Sequence, residues 1–109
     1  MKKLSFPALI FALTAASAFA ASPAENWTSQ CAKCHGKDGA GHTRSGKKLG
    51  IKDLTAAENQ KAFSDDDAFT ALKSGLKDKD GATKMNPFAT KLSDDDIKAL
   101  VAYVRAMAK

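Results

Sequence analysis

The chain has 109 residues, enough for one small domain, and its two cysteines, Cys31 and Cys34, are too few for a disulfide-stapled miniprotein. Its formal charge of +5 falls to +3 once Lys2 and Lys3 are set aside. That small excess, with no Lys/Arg tract interleaved with aromatics, argues against a nucleic-acid partner.

Lys2 and Lys3 precede an apolar run of small and aliphatic residues from Leu4 to Ala16, followed by Ala18-Phe19-Ala20. A basic start, an apolar centre and a small-residue box are the three zones of a secretory signal peptide, with cleavage after Ala20. The run approaches the length of a membrane anchor, but Pro7, the many alanines and the Ala-x-Ala box favour cleavage. The sequence therefore divides into a signal peptide, 1–20, and a periplasmic domain, 21–109, with no stable membrane insertion of the mature chain.

Four capping boxes predict the helix starts. Ser22-Pro23-Ala24-Glu25 opens a helix to about His35, with Pro23 at the first position, where its missing N–H costs nothing. Gly36 to Asp53, rich in Gly and Lys, reads as a loop. Thr55-Ala56-Ala57-Glu58 opens a short helix to Phe63, and Ser64-Asp65-Asp66-Asp67 opens another that Gly75 ends in the left-handed conformation. Leu76 to Lys91, with Gly81 and Pro87, reads as a second loop. Ser93-Asp94-Asp95-Asp96 then opens a helix to about Ala108, on which Ile97, Leu100, Val101 and Val104 form one apolar stripe. No alternating β-branched run appears, so the fold class is all-α in a single domain. The two aspartate triplets sit in first helical turns, where the helix dipole favours carboxylates, and they read as caps rather than as metal sites.

Leu, Ile, Val and Phe make up only about 15 % of residues 21–109, below the share an ordinary globular core needs. Either the chain is disordered or an apolar group other than an amino acid fills its interior. Cys31-Ala32-Lys33-Cys34-His35 decides between these. It is Cys-x-x-Cys-His, the attachment signature of a c-type haem. Positions i and i+3 share a helix face, so both thiols reach the two vinyl groups of one porphyrin edge, and His35 follows to ligate the iron. A thioredoxin-type dithiol requires a strand before the motif and a βαβ context, which this chain lacks. Zinc needs four ligands, and the chain offers only Cys31, Cys34, His35 and His42 in one short stretch, with no second Cys pair.

The sixth iron ligand separates a carrier from an enzyme or gas sensor. Met107 lies near a helix end, where a methionine ordinarily packs in the core. His42 follows His35 so closely that its loop would have to wrap the ring. Met85 stands in the Lys84-Met85-Asn86-Pro87-Phe88 loop, far from His35 in sequence, and is the predicted ligand.

With these features the chain resembles class I monohaem cytochrome c over nearly all of 21–109. The resemblance rests on the helix ending in Cys31-Ala32-Lys33-Cys34-His35, on Trp27 ahead of it, on Met85-Asn86-Pro87, and on the closing Leu100-Val101-Ala102-Tyr103-Val104-Arg105. It implies a small cytochrome c fold of three to five helices around one covalent haem c, His/Met ligation of its iron, and Trp27 against Tyr103 where the terminal helices cross. Two features depart from the family. Gly36 to Gly41 holds no proline to anchor the histidine, and Asn59-Gln60 stand where many members have a tryptophan near a haem propionate. Arg44, Lys48 and Gln60 are then the candidate propionate partners.

The implied function is single-electron transfer by a monomer that is not an enzyme. Lys33, Lys37, Lys47, Lys48, Lys84 and Lys91 lie near the attachment and Met85 segments; ringed around the haem edge they would steer acidic redox partner proteins. The rival function is a ligand-binding or peroxidatic haem protein with an open sixth site; a haem module of a larger complex is a third.

Overall fold

The computed structural model describes residues 2, 3, 5 and 21–109; the apolar run of the predicted signal peptide and its cleavage site at Ala20 lie outside the described residues. Ser22 Oγ accepts the Glu25 N–H at 3.2 Å and opens the first helix with Pro23 at its first position. That helix runs unbroken through α1 (Pro23–Asn26), a π-helical stretch (Trp27–Cys31) and α2 (Ala32–His35). In the wider π turn Ala32 N–H reaches back to the Trp27 carbonyl, and both Trp27 and Cys31 are buried on its inner side.

The stretch 36–53 holds more than a loop. Thr43 Oγ1 accepts the Gly46 N–H at 2.8 Å and caps a helix, α3 (Arg44–Leu49). The Thr55 box does not form, because Thr55 turns back instead: its N–H and hydroxyl both donate to Asp53 Oδ1, at 2.8 and 2.6 Å. Helix α4 (Ala57–Gln60) therefore starts after Ala56, without a side-chain cap, and ends short of Phe63.

The other two boxes close in both directions. Ser64 and Asp67 cap α5 (Asp65–Ser74), and Ser93 and Asp96 cap α6 (Asp94–Arg105), which stops before the predicted Ala108. Lys73–Asp94 (3.1 Å) joins one end of α5 and α6, and Arg105–Asp65 (2.8 Å) joins the other, so the two helices run antiparallel. Gly75 ends α5 at positive φ (+77°), but its ψ of 177° is extended rather than the predicted left-handed helical value. From there the chain enters a two-stranded antiparallel ribbon, β1 (Leu76–Lys77) and β2 (Thr83–Met85), inside the predicted second loop. Strand propensity missed it because its strands are so short and lack a β-branched run.

Five helical stretches and this one ribbon are the regular structure among the described residues, so the fold is all-α in essence. The α6 stripe faces inward: Ile97, Leu100 and Val101 are buried and Val104 is half-buried. Trp27 meets Tyr103 of α6 with ring centroids 5.8 Å apart. Only Ile97 and Leu100 are wholly enclosed among the larger side chains, as the low aliphatic content requires. No helix among the described residues is long and apolar enough to cross a membrane.

Candidate functional site

The first helix delivers Cys31, Cys34 and His35 to the wall of a cavity of about 660 Å³, within the range of small-molecule and cofactor sites. Leu54, Leu72, Phe88 and Val104 line its other sides, and Met85 comes from the end of β2. The four residues singled out by the sequence thus share one cavity. His42 is exposed and Met107 packs against the core; neither lines the cavity. A smaller groove of about 370 Å³ between α5 and α6, lined by Asp65, Asp66, Phe69, Lys98, Val101 and Ala102, presents no thiol or imidazole.

Local folding fixes the His35 end. The Gly41 N–H donates to the His35 carbonyl (2.8 Å), and Thr43 Oγ1 donates to the Cys34 carbonyl (2.6 Å), so the chain folds back over the end of α2. Burial holds the His35 imidazole below its usual pKa and so keeps it neutral, the form that ligates a metal. Its Nδ1 is buried without a hydrogen-bond partner. The cysteines form no disulfide, and the Cys31 thiol is pushed up to about 11, first by burial and then by its neighbour Cys34.

Met85 is held to the end of α5. Leu76 pairs with Met85 across the ribbon, and the Phe88 N–H donates to the Leu72 carbonyl at 2.9 Å. Gly75 makes this approach possible: a Cβ there would stand 2.6 Å from the Met85 carbonyl oxygen and 2.9 Å from the Pro87 nitrogen.

The donor set fits a covalent haem c. Two free thiols three residues apart stand on one helix, a neutral imidazole follows them, and a thioether shares the same largely apolar cavity. The propionate candidates fare less well. Gln60 is buried outside the cavity with its amide donating to the Leu54 and Val104 carbonyls, at 2.7 and 2.9 Å, and its Oε1 accepting from Arg105 at 3.0 Å. Arg44 and Lys48 are exposed and do not reach the lining. Lys52 and Asn59 do, and no sequence signal marked either. The six lysines are all exposed, and of these only Lys84 lines the cavity.

Residues 18–104 match the family model described as cytochrome c oxidase, cbb3-type, subunit III. Among solved structures, the c-type cytochrome KustC0563 is 31% identical, with a TM-score of 0.70 over 82% of this chain and 100% of its own. A tyrosine-to-phenylalanine mutant of that cytochrome gives 31% identity and a TM-score of 0.67 over 80% and 99%. No curated relative matches the sequence.

Proposed function

Because this chain belongs to the c-type cytochromes, in the family described as cytochrome c oxidase, cbb3-type, subunit III, we propose that it is a periplasmic single-electron carrier exported by residues 1–20. Family membership implies covalent haem c with its iron and haem-based electron transfer. The finer reading rests on one observation: Cys31, Cys34, His35 and Met85 converge on a single cavity. Cys31 and Cys34 would hold the porphyrin by thioethers, and His35 and Met85 would ligate its iron. The bound iron supplies reversible one-electron exchange between its ferrous and ferric forms.

Met85 is a soft, neutral donor that favours the ferrous form over bis-His ligation. With His35 and Met85 both ligating, the iron would keep no open site for a substrate, which supports a carrier rather than an enzyme. Leu54, Leu72, Phe88 and Val104 give the cavity an apolar lining. At the cavity rim Leu76 is 49% exposed, and the exposed Lys52 and Lys84 stand in the same lining. An apolar contact flanked by cations suits a redox partner with an acidic docking face, met by the carrier as a monomer.

Carbon monoxide tests this reading against the open-site alternative. The ferrous holoprotein is expected to bind it slowly or not at all; rapid binding would show a vacant sixth position and a ligand-binding or peroxidatic role. The oxidase-subunit description of the matched family favours one further reading, a haem module seated in a larger complex. Co-purification of the chain in a stable assembly, rather than as a free monomer, would support that instead.

A further inference from the structure

Histidines that ligate a metal almost always donate their second ring N–H to a carbonyl, carboxylate or water, which fixes the plane of the ring and raises its donor strength. His35 departs from that rule, because its Nδ1 is buried with no partner. Something else must orient the imidazole.

We propose that Trp27 is the positioning residue of His35; this rests on the reading of His35 as an iron ligand. Two independent contacts carry it. The indole packs on the imidazole with ring centroids 5.5 Å apart and planes inclined by 43°, which restricts rotation about the His35 side-chain bonds. The indole N–H, in turn, donates to the Gly36 carbonyl at 3.0 Å and so pins the Gly36–Lys37 peptide, one residue past His35. That peptide leaves the helix through Gly36 at φ +81° and ψ 161°, a backbone region essentially confined to glycine. A hydrogen bond that holds this turn therefore also holds the side chain immediately before it.

Trp27 can serve as a fixed brace because it is itself fixed. It is 3% exposed, lies in the π-helical turn, and is backed by Tyr103 from α6 at 5.8 Å. The orientation of His35 thus runs through an aromatic stack from the last helix to the first. The arrangement also has an electronic consequence. An imidazole whose Nδ1–H has no acceptor carries less anionic character and donates less to the iron, so it favours the ferrous form. Trp27 packs on this same ring.

Two variants of the holoprotein separate positioning from plain core packing. Trp27→Phe keeps an aromatic ring and loses only the donor to Gly36, whereas Trp27→Leu loses both contacts. Proton NMR of the ferric form reads the imidazole plane through the spread and order of the four haem ring-methyl signals, and redox titration reads the potential. Trp27→Phe is expected to reorder the methyl signals with the helical circular dichroism intact. Trp27→Leu is expected in addition to lower the potential, because water then reaches Nδ1. If Trp27→Leu does not fold, Trp27→Phe decides alone. Methyl order and potential unchanged from the unsubstituted protein would overturn the proposal and leave Trp27 a packing residue. The hyperfine-shifted imidazole proton signals of His35 in the ferric unsubstituted holoprotein test the underlying reading separately: their absence overturns His35 as a ligand, while their presence leaves only the variant spectra to judge Trp27.

Discussion

A buried amide stabilises a fold only when its polar atoms are paired, and Gln60 meets that condition by tying three segments together. Its NH₂ serves the carbonyls of Leu54 and Val104, and Arg105 donates to its backbone and side-chain oxygens, then to the Phe63 carbonyl at 2.7 Å. The guanidinium also covers the Phe63 ring at 4.3 Å. Gln60→Leu strands two carbonyls and removes one of the two Gln60 acceptors of Arg105, the backbone carbonyl remaining, so it should cost about 2 kcal/mol, read from the denaturation midpoint of the holoprotein. The optical spectrum should not change, because Gln60 does not line the cavity. A glutamine in sequence does not reveal which carbonyls it will meet, which is why it resembled a propionate partner until its neighbours were known. Cys31, Cys34 and His35 were legible because their spacing alone dictates their chemistry. Lys52 and Asn59 were not, since they reach the cavity only through the fold of the preceding turn.

At the scale of elements, the capping boxes that formed are those whose acid belongs to a three-aspartate first turn, at Ser64 and Ser93. Thr55 failed because Asp53, two residues earlier, offered a closer acceptor; a capping pattern cannot register that competitor. The Asp67 carboxyl is held below its ordinary pKa by hydrogen bonds from Ser64, the backbone N–H first. A depressed folded value contributes stability above the unfolded carboxyl's pKa, about 4, that is lost as pH falls through the lower folded value. The melting temperature of the unsubstituted holoprotein should therefore exceed that of Asp67→Ala at neutral pH, and the gap should close as acid protonates the carboxyl in the folded state. At the other end of α5, Gly75→Ala drives a methyl group into the Met85 carbonyl and the Pro87 nitrogen, and it places Ala in a backbone region it rarely adopts. The Met85 segment must shift, so Gly75→Ala should weaken the methionine-to-iron absorption band while the haem stays attached. An unaltered band would show that the segment is positioned by other contacts.

For the whole molecule the decisive sequence feature is a deficit. Aliphatic and Phe side chains are too few to form a core alone, and the structure arranges most of them as walls around a cavity of about 660 Å³. The all-α class and the convergence of distant Cys31 and Met85 were legible from helix periodicity and from the motif. The ribbon and α3 were not, because two- and three-residue strands and a glycine-containing helix carry too little pattern. If the porphyrin supplies the missing interior, Cys31→Ala/Cys34→Ala chain made without haem should be largely unfolded, with no cooperative thermal transition by circular dichroism. Electron exchange with an acidic partner should slow as salt rises, since exposed charges are screened over about a nanometre at ordinary ionic strength; a flat salt profile would remove the lysine rim from the account. The central claim is that the iron is held between His35 and Met85, and the absorption spectrum of the ferric holoprotein beside that of Met85→Ala tests it most directly. The account predicts a weak methionine-to-iron band near the red edge in the unsubstituted protein at neutral pH and its loss in the variant, with haem still covalently attached in both. Absence of that band from the unsubstituted protein, or its survival in Met85→Ala, would contradict it.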